Sequence, residues 1–390
     1  MIKFGSDFSG IGAPEAALKR LNLPTENIFA CEIDKYAKNS FLELHRPITF
    51  YNDITTRNHS EVPNLDLYVA GFPCQSFSLA GKRGGFEDTR GTLFFNVAKF
   101  IKENEPKCFV LENVKGLISH DSGKTFQTIT DILTNGGGTL NGQTAFDTIE
   151  NGLGYHVYTK VLNTKDYGIP QNRERIFIVG FKYFRYFSFP KPFELKLKLK
   201  HLLESDVDYK HYLSDKAIKS IIENKNNLQG SKVNPEISSA LQSPGNSCGT
   251  YKGATYINVH SLHPRTGDPS KGGTGRLSKS DGTTYCLDTS NSQAIEIKGA
   301  ALRGRGKGKE LEIRKDNLAN SITTVQTDSI IKSNTIRRLT PLECWRLQGF
   351  TDDEFYKAQK VNSDTQLYKQ AGNTITVNVL VELFKKIYLK

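Results

Sequence analysis

Apolar and polar positions fall in alternating blocks along the first half of the chain. Ile2 to Phe8 reads as an apolar strand, the residues from Pro14 as a helix, and Ile28 to Ala30 as a second strand. Strand and helix in alternation build a parallel sheet. Leu65 to Ala70 and Cys108 to Leu111 are further short apolar runs, each passing into polar or small residues at its carboxyl end, as strands covered on both faces do. Ligands of α/β proteins sit at those ends. Two β-rich runs, Tyr155 to Leu162 and Arg175 to Phe181, flank a turn at Asp166 to Pro170; this predicts a hairpin at the sheet edge and makes the sheet mixed. From about Lys196 to Thr335 the chain turns to Gly, Ser, Asn and Thr with short strand-like runs, the signature of irregular β structure. Helical periodicity returns in Thr340 to Leu347 and in Thr374 to Leu389, where Val377, Leu380, Val381, Phe384 and Ile387 share one face that should pack on the sheet. The Gly-rich stretch Asn135 to Asn141 predicts a surface loop. The expected organisation is therefore a unit over 1–195, a second over 196–335, and a segment 336–390 that returns to the first.

Composition narrows the class. With 390 residues the chain suits two domains, and 37% hydrophobic with 24% charged residues describes a folded globular protein. The 52 Lys and Arg outnumber the 41 Asp and Glu, a formal charge of +11 that attracts polyanions. Nucleic acid is the obvious one, and a basic enzyme without such a partner is the alternative. The segment 196–335 alone carries 21 basic and 14 acidic residues, a net of +7. The six cysteines are scattered, with no Cys-x-x-Cys pair and no His cluster at ligand spacing, so no metal and no disulfide framework are expected. No basic leader and no apolar run approaching ~20 residues is present. The expectation is a cytoplasmic chain with no membrane partner.

Candidate chemistry sits where the strands end. Phe8, Ser9, Gly10 and Gly12 lie between the first strand and its helix, where glycines let backbone approach a ligand. A tight turn is the alternative, since Glu15 replaces the third glycine of a dinucleotide fingerprint. Glu32 ends the next strand, at the distance where an acid binds ribose hydroxyls, and Asp53 follows the third strand-like run, within reach of an adenine amino group. Cys74, in Gly71, Phe72, Pro73, Cys74, Gln75, Ser76, Phe77, Ser78, stands in a turn after an apolar strand and reads as a reactive thiol rather than a buried inert one. Glu112 and Asn113 end another strand, placing a carboxyl for general acid work. Arg173 and Arg175 alternate between the hairpin strands, a spacing that suits a base oxygen or a phosphate.

Together and in this order, these motifs resemble the cytosine-C5 DNA methyltransferase family of bacterial and phage restriction-modification type. Phe8 to Gly12 resembles its cofactor loop, Gly71 to Ser78 its Pro-Cys motif, Glu112 to Val114 its Glu-Asn-Val motif, and Gln171, Arg173 and Arg175 its Gln-x-Arg-x-Arg motif. Arg337, Leu339, Thr340, Glu343 and Gln348 to Phe350 resemble the segment supporting its recognition domain; Gln370, Gly372, Asn373 and Val377 to Leu380 resemble its C-terminal motif. Ser6 stands where many members carry an acid, and Ala13 where a further glycine is common. The resemblance implies a Rossmann-like, S-adenosylmethionine-dependent catalytic domain over 1–195, completed by 336–390, and a smaller irregular β-rich target recognition domain over 196–335. It implies cofactor contacts from Phe8, Ser9, Gly10, Gly12, Glu32, Ile33, Asp53, Ile54, Pro73, Leu93, Asn373 and Ile375, leaving S-adenosylhomocysteine as product. It also implies that Cys74 adds to C6 of a flipped cytosine, with Glu112, Arg173 and Arg175 completing the catalytic set. Gln75, Ser78, Lys82, Arg83 and Arg90 of a closing loop, and Arg303, Arg305 and Lys307 of the recognition domain, are the DNA-facing candidates. The partners implied are double-stranded DNA, with the enzyme a monomer at the nucleoid, and a restriction endonuclease of the same specificity. A transfer-RNA cytosine methyltransferase, a silent DNA-binding relative and a nicotinamide dehydrogenase are the competing readings.

Overall fold

In the computed structural model the described residues are 1–73, 93–134, 139–140, 143–144, 152–211, 294–296, 300–305, 308–313, 330–331 and 336–389. They divide into two compact units, one of 1–169, 173–195 and 348–390, the other of 170–172 and 196–347.

The first unit is built on a seven-stranded sheet. Its strands are β1 (Ile2–Asp7), β2 (Thr25–Cys31), β3 (Thr49–Tyr51), β4 (Leu67–Ala70), β5 (Cys108–Val114), and, after the two-residue strands β6 (Thr139–Leu140) and β7 (Gln143–Thr144) that pair only with each other, β8 (His156–Asn163) and β9 (Glu174–Phe181). The order is β3-β2-β1-β4-β5-β9-β8. The first five strands run parallel; β9 is antiparallel to both β5 and β8. The mixed sheet and edge hairpin read from the sequence are present. Every residue of β4 and all but the last of β5 are buried, which is why these strands read as unbroken apolar runs.

Helices cover the sheet. They are α1 (Ala13–Arg20), α2 (Lys35–Leu44), α3 (Leu93–Asn104), α4 (Lys124–Leu133) and, after α5 (Pro341–Arg346) of the second unit, α6 (Asp352–Gln359), α7 (Asp364–Asn373) and α8 (Val377–Tyr388). Asp34 starts α2 by accepting the amides of Tyr36 and Ala37, satisfying two of the donors a helix N-terminus leaves free. The apolar face of α8 is wider than its heptad-like spacing predicts. Val379 and Leu383 are also buried, whereas Val381 is only half-buried; α8 packs against α1.

The second unit contains β10 (Ala294–Glu296) paired with β14 (Ile336–Arg338), and β11 (Ala300–Arg305) between β12 (Gly308–Ile313) and β13 (Ile330–Ile331). Thr340 and Glu343 form a reciprocal capping box at the start of α5, and the Glu204 amide donates to Glu343 Oε1 at 2.8 Å. Of the predicted loop Asn135 to Asn141, Thr139–Leu140 is strand; the rest lies outside the described residues.

Candidate active site

The carboxyl ends of β1, β2, β4 and β5 lie side by side in the sheet, so their loops share one edge. The loop after β1 is held in an unusual path: Phe8, Gly10 and Gly12 have φ of 54°, 57° and 83°, the left-handed region that only glycine adopts without strain. At Gly12 a side chain would run into the His45 ring, while nothing stands near the missing side chain of Gly10. The Gly10 amide donates to Glu32 Oε2 at 2.8 Å, and the Asp34 amide to Glu32 Oε1 at 2.8 Å. Burial pushes the Glu32 carboxyl up from its ordinary range, and those two amides pull it back. Ile33 beside it is 74% exposed, an apolar surface next to a carboxylate. Asp53 Oδ1 accepts both the amide and the hydroxyl of Thr55 at 2.8 Å, and Ile54 is buried.

A second cluster lies at β4, β5 and β9. Glu112 is opposite Phe177 in the β5–β9 ladder, and Val114 opposite Arg175, so Glu112 and Arg175 are diagonal neighbours on one face. Arg175 Nε reaches Glu112 Oε1 at 3.2 Å. Asn113 Nδ2 donates to the Phe72 carbonyl at 2.9 Å, tying β5 to the chain that leaves β4. Glu112 Oε2 and the Ile375 side chain both lie within contact distance of the side-chain position at Gly71. Arg173 is buried and turns elsewhere, donating to the carbonyls of Gly372 at 3.2 Å and Thr374 at 2.8 Å. The alternate arginines therefore divide their work: one meets a carboxylate, the other fixes the segment that presents Ile375.

A pair the sequence reading missed braces the first cluster. Arg57 grips Asp7, the last residue of β1, through two hydrogen bonds of 2.6 and 2.7 Å, and Tyr68 donates to Asp7 Oδ2 at 2.7 Å. Both charged side chains are fully buried. The guanidinium lies 4.5 Å from the Phe29 ring centroid and 4.6 Å from that of Phe100, so cation–π attraction adds to the ion pair. The loop carrying Asp53 and Ile54 is thereby anchored to the strand that enters the Phe8 to Gly12 loop.

Residues 2–389 match the C-5 cytosine-specific DNA methylase family. The chain belongs to that family. The methylase is 35% identical to the orphan methyltransferase M.SPRI of Bacillus phage SPR, over 97% of this chain and 96% of that protein. It is 45% identical to the type II methyltransferase M.HaeII of Haemophilus aegyptius over 53% of this chain and 60% of that protein. The Dnmt2 methyltransferase of S. pombe shares the fold, with a TM-score of 0.61 at 16% identity over 98% and 97% of the two chains.

In the methylase, Phe8, Ser9, Gly10, Gly12, Glu32, Ile33, Asp53 and Ile54 all fall on the loops at one sheet edge. Pro73, Asn373 and Ile375 are exposed or half-buried near the second cluster's chain segments, and Leu93 opens α3. Cys74, Gln75, Ser78, Lys82, Arg83, Arg90 and Lys307 lie outside the described residues; Arg303 and Arg305 occupy alternate positions of β11. Burial pushes the thiols of Cys31 and Cys108 well above the usual cysteine range, so neither is suited to nucleophilic work. Among the described residues no group of His, Cys, Asp and Glu could hold a metal ion, and no helix is long and apolar enough to cross a membrane.

Proposed function

We propose that this methylase transfers a methyl group from S-adenosylmethionine to C5 of a cytosine extruded from a specific duplex sequence, through a covalent bond between Cys74 and C6. The observation that carries the reading is the Glu112–Arg175 contact of 3.2 Å beside Gly71 to Pro73, the described residues that run directly into Cys74.

The first cluster fits the cofactor. Glu32 already orders both its oxygens on backbone amides and retains lone pairs for ribose hydroxyls, the open side of Gly10 leaves room for a ligand against the loop, and Ile33 offers an apolar face to a flat base. Bound there, S-adenosylmethionine would supply an electrophilic methyl group. The protein must make cytosine C5 nucleophilic. Cys74 adds as thiolate to C6, the ring's electron pair moves toward N3 and O2, and Glu112 neutralises the charge building at N3. Arg175, already oriented by Glu112, is a donor for O2. C5 would then take the methyl group as the bond from that methyl to the cofactor sulfur breaks, leaving S-adenosylhomocysteine; a base removes the C5 proton, and the C5–C6 double bond re-forms as the Cys74 thiolate leaves. A base stacked in a duplex cannot be reached in this way, so the target must be flipped at a cost of about a few kcal/mol.

We further assign DNA contacts to Gln75, Ser78, Lys82, Arg83, Arg90, Arg303, Arg305 and Lys307, the recognition role to 196–335, and a monomeric state at the nucleoid. The type II relatives support a cognate endonuclease as functional partner.

Tritium from labelled S-adenosylmethionine should enter duplex DNA, and bisulfite sequencing should place it at one cytosine of one short sequence. Cys74→Ser should abolish transfer with DNA binding retained; full activity in that variant overturns the nucleophile. Label entering transfer RNA and not DNA overturns the substrate.

A further inference from the structure

Behind the Phe8 to Gly12 loop, a buried chain of polar groups has no part in the chemistry above. Ser6, Ser9 and Glu15 are 1%, 5% and 6% exposed. The Cys31 amide donates to Ser9 Oγ at 3.0 Å, the Ser9 and Ser6 hydroxyl oxygens are 2.8 Å apart, and Ser6 Oγ donates to Glu15 Oε1 at 3.0 Å. Asn27 Nδ2 donates to the same oxygen at 3.3 Å. A serine hydroxyl has one proton to give. Since that of Ser6 goes to Glu15, Ser6 Oγ is left as acceptor toward Ser9, and Ser9 Oγ in turn accepts the Cys31 amide. The chain of donors thus runs in one direction, from the end of β2 to Glu15.

Position 15 decides that direction. Without an acceptor there, the Ser6 hydroxyl can turn back toward Ser9, and the Ser9 proton has two other acceptors in reach, the carbonyls of Ser6 at 2.9 Å and Cys31 at 3.2 Å. In its charged form Glu15 sits there at a cost. Its Oε2 is buried without a hydrogen-bond partner, and burial pushes the carboxyl up to about 7, so the fold bears a desolvation cost at this residue. What the chain braces is Ser9, whose neighbour Gly10 carries the amide held by Glu32.

We propose that Glu15 is a positioning residue for the cofactor loop: as terminal acceptor it fixes the Ser9 hydroxyl against β2, and through Ser9 it sets where the Gly10 amide meets Glu32. The proposal rests on the reading that this loop binds S-adenosylmethionine. Coupled hydrogen bonds polarise one another, and a binding site tolerates misplacement of only about 0.5 Å, so the loss of the end member should be felt at the ligand.

Calorimetric titration of S-adenosylhomocysteine into the full-length protein at pH 8 tests it, with the melting temperature of each unliganded variant measured alongside. Glu15→Gln keeps the Oε1 acceptor and should bind within about twofold of wild type, whereas Glu15→Leu and Ser6→Ala should each bind about tenfold more weakly, the loss of one buried hydrogen bond. Glu15→Leu should melt no lower than wild type, because it removes a buried carboxyl. The double variant should bind no more weakly than the worse single, since both cut one chain. Wild-type affinity in Glu15→Leu overturns the proposal; should that variant not fold, wild-type affinity in Ser6→Ala does the same. Failure of the wild-type protein to bind S-adenosylhomocysteine at all refutes the cofactor reading, and the proposal with it.

Discussion

Replacing Arg57 with Met should be among the most damaging single changes in the protein, although residue 57 lies in a loop. The substitution leaves an apolar chain between Phe29 and Phe100, so packing of the rings is largely kept. What disappears is the bidentate, charged partner of Asp7, whose carboxylate is fully buried and keeps neutral partners, the Tyr68 hydroxyl and the Cys31 thiol. Removing one member of a buried ion pair costs about 3–5 kcal/mol, mostly the penalty of an uncompensated charge. Set against a total stability of roughly 5–15 kcal/mol, that takes a large share. Urea unfolding followed by far-ultraviolet circular dichroism gives the magnitude, and a cycle with Asp7→Asn isolates its cause. Asn keeps an acceptor for Tyr68 and carries no charge, so the double variant should recover at least about 2 kcal/mol relative to the sum of the singles. A loss below about 1 kcal/mol for Arg57→Met, or simple additivity in the cycle, would refute the reasoning.

Three further outcomes follow from the geometry. Glu15 has a folded-state pKa near 7 against an ordinary 4.5, so the folded protein holds its proton more tightly: this contribution to stability is complete below pH 4.5 and is lost as pH rises through 7. Glu15→Gln should therefore gain about 3 kcal/mol on wild type between pH 4.5 and pH 8, and a difference in urea midpoint that ignores pH would contradict this. Gly12→Ala should destabilise by about 2 kcal/mol or more, from its positive φ and the His45 ring; adding His45→Ala should restore part of the melting temperature, and no restoration would assign the whole cost to the backbone. Glu112→Gln should lower the single-turnover methylation rate by about 10²-fold or more, with the affinity for S-adenosylhomocysteine unchanged; a change confined to cofactor affinity would remove Glu112 from the chemistry.

The parallel strands were legible because a strand covered on both faces must be apolar throughout, and β4 and β5 are. The hairpin of β8 and β9 was legible from its turn. Helix α2 carried little signal, since only Ala37, Ser40 and Phe41 of its ten residues are buried and its start depends on the Asp34 cap. Glu32 and Glu112 could be singled out because strand ends are local features. Asp7, Arg57 and Tyr68 could not, because their bonds join positions 50 and 61 residues apart and no period or motif connects them. Glu15 stood out in the sequence only as a glycine that was missing; its meaning depends on Ser6 and Asn27, which the fold brings to it.

The carbonyls that receive the buried Arg173 guanidinium belong to Gly372 and Thr374, in a segment, 348–390, that shares a compact unit with 1–169. On the ribosome, the arginine emerges long before those acceptors exist. A nascent chain therefore cannot seat this cation until the 199 residues that lead from Arg173 to Gly372 have been made. A chain cut short before residue 372 should therefore be inert polypeptide rather than a weakened enzyme.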